Sequence, residues 1–356
     1  DFIRITKRDN LSRKKEILIT LLAIVLSIVF AGIILLIFGL NPFEIFKEII
    51  MGSVGTGLRV KQTIVKAVPL IITSMGIIVA FKMKFWNIGA EGQITMGALG
   101  ASWVALNLSP NLPQPVMLLL MMVGAAVCGG IWAFIPAIFK AKLGTNETIF
   151  TLMMNYVAIK FVTYLQYGPW MDPAANGFPK IAMFPDNAVM PKLGGVNIGW
   201  ILAILAAAFV YFFMNYTKKG YEITVVGESI ETARYAGMNI SRIIVVAMLI
   251  SGGLCGITGM IQASAIEKTL VYGIANGYGF TAIITAWLSK LNAGYAVAVC
   301  AVFAMLIQGG QYIQIALGVP SAVSDIVQGL ILFFVLGSEF FMRYRVHIGR
   351  NSKEVA

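Results

Sequence analysis

Apolar residues fill long runs along this chain, and polar residues are concentrated in the short stretches between them. The first run, Ile17 to Leu40, has no charged residue, and a helix of about 24 residues can cross roughly 30 Å of hydrocarbon. Nine further runs are predominantly apolar, although some contain a charged residue. Their expected bounds are Gln62–Phe81, Phe85–Leu106, Val116–Phe139, Thr148–Gln166, Ile198–Tyr216, Ile243–Ala265, Tyr278–Leu288, Gly294–Tyr312 and Pro320–Met342. The pattern predicts an all-α polytopic membrane protein with about ten transmembrane helices.

The eighth of these runs, Tyr278–Leu288, is too short to cross a bilayer alone. Gly273 and Gly277 precede it, and Gly279 lies inside it. Glycine weakens a helix because it has the most backbone freedom to lose. We therefore expect a broken or tilted element here. A similarly glycine-rich element lies near Gly89, but the two halves of the chain match too poorly to establish an internal repeat.

Composition agrees with a membrane location, since 58% of the residues are apolar and 12% are charged, about half the charged share of soluble domains. Nineteen of the 27 Lys and Arg residues lie on the side of the termini, seven lie on the other side, and Lys160 lies inside a span. The positive-inside rule then places both termini in the cytoplasm, and the net charge of +11 needs no nucleic acid to explain it. The expected organisation is a cytoplasmic N-terminal segment (1–16), a transmembrane domain (17–342) and a cytoplasmic tail (343–356).

Residue types that many enzymes need are scarce in this sequence. There is one His, His347, and the three Cys show no CxxC spacing, which argues against haem, zinc and Ser-His-Asp sites. No GxxxxGK[ST] loop occurs, so the chain has no nucleotide-hydrolysing loop of its own. A membrane-embedded enzyme would need clustered carboxylates, and no such pair is found. We therefore expect no cofactor or metal in this chain, and any energy must come from a partner or an ion gradient.

The longest polar stretch between spans is residues 168–197, which contain five prolines and lie on the outer side in the ten-span topology. Such a stretch could be a disordered connector or a docking surface for an external partner. Its aromatic residues favour an ordered segment at the membrane interface. These aromatics are Tyr167, Trp170, Phe178 and Phe184.

The apolar pattern of the third expected span is interrupted by the polar stretch Lys84–Gln93, which contains Asn87, Glu91 and Gln93. A charged carboxylate at membrane depth costs about 2.5–3.5 kcal/mol on insertion scales. Irregular backbone at this depth is tolerated where it is buried in protein or lines a watery cavity. We expect an interrupted or re-entrant helix, which either lines a pore or gate or holds neighbouring helices together as a polar staple.

A second polar group lies at the start of the fifth expected span. Thr145 and Thr148 are candidate N-caps, and Glu147 in the first turn would favour the helix dipole. Asn155 lies one or two turns inside the span. It could hydrogen-bond across helices or face a translocation path, and the sequence does not choose between the two.

The longest cytoplasmic connector, residues 217–242, contains a predicted helix of about two turns at Ser229–Gly237. Glu228 and Glu231 lie near the positive end of its dipole, and Glu231 and Arg234 have the spacing of an i,i+3 ion pair. Gly237 suits the left-handed residue that ends a helix. The small residues Ala233, Ala236 and Gly237 would allow close approach of a partner, although a solvated surface turn is the alternative.

Other features favour structural roles. Gly252 and Gly256 have the GxxxG spacing that lets membrane helices approach closely. Asp325 follows Pro320 and Ser321 early in the last span, where an interfacial helix cap is favoured over a cavity residue.

Four motifs in order resemble the membrane permeases of bacterial ABC importers. They are Phe85–Gln93, Gly144–Glu147, Leu152–Tyr156 and the stretch from Val226-Gly227-Glu228 to Arg234-Tyr235-Ala236-Gly237. The chain is similar to the branched-chain amino acid and simple-sugar permease superfamily, and within it to the nucleoside-type branch that works with a basic-membrane-protein-like lipoprotein. Trp86 departs from the smaller or aliphatic residue usual in that branch and could alter a cavity wall.

The resemblance implies a type II ABC importer-like fold and a function in the bacterial cytoplasmic membrane. Two permeases, alike or homologous, form a pathway between them, and an external binding lipoprotein delivers the substrate. Separate ABC ATPase subunits bind ATP and Mg²⁺ and grip a cytoplasmic coupling helix, here about residues 228–239. The residues expected to couple to the ATPase are Glu228, Glu231, Ala233, Arg234, Ala236 and Gly237.

Nucleosides are the commonest cargo of that branch, and amides and aromatic rings would suit them. The residues expected along the substrate path are Asn87, Glu91, Gln93, Asn155, Tyr156 and Phe280, with Phe85 and Trp86 as further stacking candidates. An alternative is an ion-coupled secondary transporter that uses Glu91 or Asp325 as its coupling carboxylate.

Overall fold

The computed structural model describes residues 3–7, 13–108, 111–320 and 322–348, and these residues are mostly helical. The helices are α1 (Arg13–Ile37), α2 (Pro42–Val54), α3 (Gly57–Lys82), α4 (Ala90–Asn107), α5 (Gln114–Leu143), α6 (Glu147–Tyr167), α7 (Gly199–Tyr216), α8 (Lys218–Glu228), α9 (Ile230–Tyr235), α10 (Ile240–Ile261), α11 (Tyr278–Leu288), α12 (Ala293–Leu317) and α13 (Ala322–Arg343). A π-helical turn, Gln262–Glu267, extends α10. The strands are β1 (Ile3–Lys7), β2 (Lys192–Leu193), β3 (Val196–Asn197) and β4 (Tyr344–Ile348).

Each of the ten predicted spans overlaps a helix, but the number of membrane crossings is not confirmed. In the described ranges, six helices are long and apolar enough to cross a membrane, or seven if α1 and α2 form one span bent by 116°. The 11 residues of α11 extend only about 16 Å. The interrupted third span is not confirmed either, because α4 runs without a break and the residues before it, 83–89, form a non-helical connection.

Helix α2 follows a sharp turn after α1 and was not predicted from the sequence. Gly39 has a φ of +75°, and the Asn41 side chain accepts a hydrogen bond from the backbone N–H of Phe43 at 3.1 Å. Pro42 occupies the first helical position, where its missing N–H costs nothing. Three charged residues between 44 and 48 made this helix look like a loop, although the Asn-Pro pair is a helix-start signal.

The described residues divide into two compact units, and the first contains those up to Arg59 and from Met305 onward. Within it, α1 packs along α13, with the rings of Phe30 and Phe334 5.7 Å apart. An apolar core joins α1, α2, the end of α12, the connection after it and the start of α13. Its buried members are Leu35, Ile45, Ile49, Ile313, Val319 and Val323.

The two ends of the chain meet in this first unit. Strands β1 and β4 pair antiparallel, with Ile3 opposite Ile348 and Lys7 opposite Tyr344. The sequence predicted an all-α fold, so this pair of strands is a correction to it. Asp325 lies exposed in the first turn of α13. Its neighbour Ser321 and residues 349–356 of the predicted tail lie outside the described residues.

The second unit, Val60 to Ala304, is built around α4, α5 and α10. Glycines form the contact surfaces: Gly97 of α4 lies against Gly256 of α10, and Gly129 of α5 lies against Gly252 and Gly256. A Cβ atom on Gly256 would collide with the carbonyl oxygen of Ala125. The predicted role of the GxxxG spacing in close helix packing is thereby confirmed.

Helix α3 adds buried hydroxyl contacts to this core. Thr73 Oγ1 donates to Thr258 Oγ1 of α10 at 3.0 Å, and Ser74 Oγ lies 2.5 Å from Thr285 Oγ1 of α11. All four side chains are buried. Interhelical hydroxyl bonds of this kind satisfy groups that lipid could not.

The stretch 168–197 is an ordered cap rather than a disordered connector. Its residues Ile181, Phe184, Ala188 and Met190 are buried. Backbone carbonyls of the stretch accept hydrogen bonds from the segment after α10, including Ser264 Oγ to the Ala188 oxygen at 2.6 Å. The expectation of an ordered segment is confirmed, although of the four aromatics named for it only Phe184 is buried.

Candidate functional site

The connection between α3 and α4 is ordered by its own backbone hydrogen bonds. Lys84 adopts a left-handed φ of 57°, its N–H donates to the Phe81 oxygen at 2.9 Å, and the N–H of Phe85 donates to the Ala80 oxygen at 3.2 Å. These two bonds are those of a Schellman motif, which satisfies the last carbonyls of a helix. Lysine here takes a position usually held by glycine.

Asn87 and Gln93 form a reciprocal amide pair across the start of α4. The Asn87 Nδ2 donates to Gln93 Oε1 at 3.2 Å, and Gln93 Nε2 donates to Asn87 Oδ1 at 3.1 Å. Asn87 Nδ2 also donates to Ser251 Oγ of α10, and Asn87 Oδ1 accepts from the Gly89 N–H. Both amides are buried, and each hydrogen-bonds within the chain.

Glu91 joins the starts of two helices. It lies in the first turn of α4, and its Oε1 and Oε2 accept from the N–H groups of Gly277 at 2.7 Å and Gly279 at 2.8 Å, at the start of α11. The carboxylate therefore faces two helix N-termini, where the aligned backbone dipoles favour negative charge. The two glycine-weakened elements noted in the sequence meet at this contact.

Helix α6 is fastened to the same connection through its buried face. Asn155 Nδ2 donates to the Ile88 oxygen at 2.8 Å, and its Oδ1 accepts from the Gly92 N–H at 2.8 Å. Thr151 Oγ1 accepts from the Ile88 N–H at 3.2 Å. Asn155 thus hydrogen-bonds across helices, the first of the two roles left open for it.

The start of α6 differs from the expected cap. Asn146, rather than Thr145 or Thr148, is the N-cap, and its Oδ1 accepts from the backbone N–H of Thr148 at 3.0 Å. The Thr145 hydroxyl is buried with no hydrogen-bond partner in the described ranges. Glu147 forms an ion pair with Lys140 of α5 at 2.7 Å.

Of the six residues predicted along a substrate path, four converge in one buried cluster. We call Asn87, Glu91, Gln93 and Asn155 the polar cluster. It satisfies irregular backbone between α4, α6, α10 and α11, an arrangement that favours the polar-staple alternative. Tyr156 and Phe280 are not part of it, since they are 59% and 44% exposed.

Trp86 packs within an aromatic group instead of facing an open cavity. Its ring stacks on Trp287 of α11 with centroids 5.4 Å apart and 14° between the planes. It packs edge-to-face with Phe81, and the centroids of these two rings are 5.2 Å apart. Phe85 is buried. Two of the expected stacking residues are therefore occupied by contacts inside the chain.

The predicted coupling helix is α9, which is capped at both ends. The Ser229 Oγ accepts from the Thr232 N–H at 3.2 Å, and Gly237 has a φ of +71° with Met238 N–H donating to the Ala233 oxygen at 3.0 Å. The left-handed glycine that ends the helix is confirmed.

Two expectations for α9 are wrong. Ala233 is completely buried against its own chain, so it is not available to a partner, whereas Glu228, Glu231, Arg234, Ala236 and Gly237 are exposed. No ion pair joins Glu231 to Arg234 in the described part of the chain, where the ion pairs are Lys140–Glu147 and Lys219–Glu222. The spacing permits such a pair, but exposed charges gain little from it in water.

Large exposed side chains on α9 were missed. Tyr235 is 98% exposed and Ile230 is 52% exposed. Tyr235 lies inside a quoted motif, and its position on the face opposite Ala233 could have been found by helix periodicity.

Helix α8, also missed from the sequence, connects α9 to the polar cluster. Gly227, next to the last residue of α8, lies so close to the backbone of Lys82 and Met83 that a Cβ atom there would overlap the Lys82 carbonyl oxygen. Lys82 ends α3, and the connection that holds Asn87 follows it. The coupling helix is therefore linked to the polar cluster through the contact between Gly227 and Lys82 and the short connection that follows Lys82.

Comparison with known proteins identifies the family. Residues 59–336 match the family described as branched-chain amino acid transport system / permease component. The chain is 34% identical to the glucose ABC transporter permease protein TsgB13 of Haloferax volcanii, over 92% of this chain and 89% of that protein. It is 32% identical to the guanosine ABC transporter permease protein NupP of Bacillus subtilis, over 92% and 94%.

The nucleoside ABC transporter permease protein NupB of Lactococcus lactis subsp. cremoris is 29% identical over 91% of this chain and 92% of its own length. These matches cover the coupling helix and the polar cluster and extend over nearly the whole chain. The six long apolar helices agree with them. The chain belongs to the family of branched-chain amino acid transport system permease components, and it is the multi-pass permease subunit of an ABC importer rather than an enzyme.

Proposed function

We propose that this permease forms, with a second identical or homologous permease, a pathway for nucleosides that a separate ABC ATPase opens from the cytoplasm. The observation that carries the proposal is the two-sided character of α9. Ala233 anchors one face on the chain, Tyr235 is exposed on the opposite face, and Ile230 is exposed at the start of the helix. Tyrosine and large apolar side chains are common at the centres of protein interfaces.

Transmission from the coupling helix to the membrane follows from the packing of α8. A push on α9 reaches Lys82 and Met83 through Gly227, where backbones touch and leave no room to absorb the movement. The same connection continues to Asn87 and Glu91 in the polar cluster. In this proposal the cluster keeps the starts of α4 and α11 moving together.

The cargo assignment is supported by the relatives' names and by the chemistry that remains exposed. Two of the three relatives described above are named as guanosine or nucleoside permeases. Because the amides of Asn87, Gln93 and Asn155 bond within the chain, we propose them as framework. Tyr156 and Phe280 remain candidates for the pathway wall. A sugar is the second candidate cargo, since the relative of 34% identity is named as a glucose permease.

The surroundings are proposed from the charge distribution and the family. The protein lies in a bacterial cytoplasmic membrane with both termini in the cytoplasm, and the pairing of β1 with β4 supports their location on one side. ATP and Mg²⁺ are bound by the ATPase. A substrate-binding lipoprotein delivers cargo to the outer side, where the ordered cap 168–197 offers a surface.

The test is transport by the reconstituted complex of this permease, its partner permease, ATPase and lipoprotein. We expect guanosine and uridine, but not glucose, to stimulate ATP hydrolysis and to be taken up. Uptake should be lost when the ATPase in the complex lacks its catalytic carboxylate. It should continue when an ionophore collapses the ion gradient. Uptake that survives loss of ATP hydrolysis and disappears with the ion gradient would contradict the proposal, and stimulation by glucose alone would select the second candidate.

A further inference from the structure

Lys160 occupies a position that neither the polar cluster nor the coupling helix explains. It lies on α6, about 20 Å along the axis from Glu147 and about 10 Å from Tyr167. Helical side chains incline toward the N-terminus, so this lysine points away from the nearer end of α6. Reaching the closer membrane surface would require the side chain to turn against that direction.

The buried face of α6 sets the direction in which Lys160 points. Asn155 and Thr151 hydrogen-bond to the connection before α4, and Ala158 and Val162 are completely buried. At 100° per residue, Lys160 lies opposite the midpoint between Ala158 and Val162. The hydrogen bonds that fasten one face of the helix therefore hold Lys160 at the centre of the exposed face.

Two exposed neighbours of Lys160 on this face are aromatic, beside the exposed Val157. Tyr156 and Tyr164, one turn before and one turn after it, are 59% and 64% exposed. Lys160 makes no ion pair in the part of the chain that the structure describes. A lone ammonium at this depth is disfavoured against lipid, and such residues usually face a water-filled cavity or a bundle interior.

We propose that Tyr156, Lys160 and Tyr164 form a solute-contact strip that faces the aqueous pathway and recognises a nucleobase bearing a ring carbonyl. The proposal rests on the proposed nucleoside function and adds the residues that would contact the base. An ammonium donates well to the adjacent O6 and N7 acceptors of guanine, whereas adenine presents an amino group in place of O6. Tyrosine rings provide stacking surfaces for any base.

The placement in the pathway is tested by thiol labelling, which does not depend on the cargo. Lys160→Cys is made in a Cys128→Ala background, since Cys255 and Cys300 are buried. A membrane-impermeant methanethiosulfonate should modify it in the assembled complex, and guanosine with the liganded lipoprotein should slow the reaction. Ala158→Cys, on the buried face of the same helix, is the matched control and should not react.

The recognition role is tested by transport at saturating lipoprotein. Lys160→Met should lower the rate of guanosine uptake about tenfold and that of adenosine less than twofold, while Lys160→Arg retains most guanosine transport. The melting temperature of both variants should stay at the wild-type value. Rescue by arginine and the base-dependent loss are readouts that a purely structural role would not produce.

Other results overturn the proposal in distinguishable ways. An unreactive Lys160→Cys would remove the strip from the pathway. Reduced recovery of the two-permease complex with Lys160→Met would show instead an ion pair across the subunit interface. Equal loss of guanosine and adenosine transport would contradict base recognition. A wild-type complex that carries no nucleoside, with Lys160→Cys still reactive, would refute the proposed cargo while upholding the pathway placement.

Discussion

Glu91 is a carboxylate in an apolar part of the sequence, and its hydrogen-bond partners lie far away in the chain. Its charge and its position between Gly89 and Gly92 mark it as unusual in the sequence. They do not reveal which groups it contacts. In the structure its two oxygens accept from Gly277 and Gly279, 186 and 188 residues away in the chain. A carboxylate with both oxygens engaged by backbone N–H groups at the start of α11 is a structural connector, which disfavours its use as the coupling group of an ion-driven transporter.

Glu91→Gln should therefore destabilise the permease. The amide keeps one acceptor oxygen and turns an NH₂ group toward a backbone N–H, so one buried donor loses its partner. Such an unsatisfied group costs about 1–3 kcal/mol. We expect a lower melting temperature in detergent and slower transport.

Glu44→Gln, at an exposed position on α2, is the control and should leave both quantities unchanged. Wild-type stability and transport in Glu91→Gln would show that the two hydrogen bonds to Gly277 and Gly279 contribute to neither quantity.

The short helix α9 is the element proposed to couple this permease to the ATPase. Capping by Ser229 and termination at Gly237 follow from local sequence, so α9 was predicted in nearly the right place. Its orientation was not, because burial of Ala233 depends on packing against other elements. The exposed side chains are therefore better candidates for ATPase contact than the small residues first proposed.

Tyr235→Ala should uncouple the importer without unfolding it. The side chain is 98% exposed in this chain, and surface substitutions usually change the free energy of unfolding by less than about 0.5 kcal/mol. A central interface tyrosine contributes about 2 kcal/mol or more, so substrate-stimulated ATP hydrolysis should fall at least about tenfold.

Phe43→Ala, at an aromatic residue that is 87% exposed on α2, is the matched control and should couple normally. Ala233→Leu should instead impair folding, since the site is fully packed. Normal coupling in Tyr235→Ala would exclude this face as the ATPase contact.

For the complete chain, charge distribution and the pairing of the two ends lead to the same topology. The excess of Lys and Arg on one side predicts cytoplasmic termini, and β1 pairs with β4 over five residues of each strand. Strands that pair must lie on one side of a membrane, whatever the number of crossings between them.

Reporter fusions measure this directly. Green fluorescent protein at either end of the chain should fluoresce, and alkaline phosphatase at either end should be inactive, because the first folds in the cytoplasm and the second needs an oxidising compartment. Active phosphatase at one terminus alone would imply an odd number of crossings and would contradict the pairing.

Local patterns were sufficient for the positions of the ten long apolar helical segments and of α9, for the membrane class and for the family, but not for α2 and α8. Long apolar runs have no stable alternative to helices in lipid, and the caps of α9 are short-range features. The number of crossings was less accessible, because a helix such as α4 can be too polar to face lipid and still be buried among its neighbours.

The partners of the polar residues became visible only in the folded chain. Asn87, Glu91, Gln93 and Asn155 are recognisable as exceptions in an apolar sequence, yet whether an amide contacts cargo or backbone depends on groups far away in the chain. The same holds for Ala233 and Lys160, whose burial and exposure are set by which helix faces are occupied. Hydrophobicity and propensity act over a few residues, whereas hydrogen-bond partners and the packed side of a helix depend on long-range contacts.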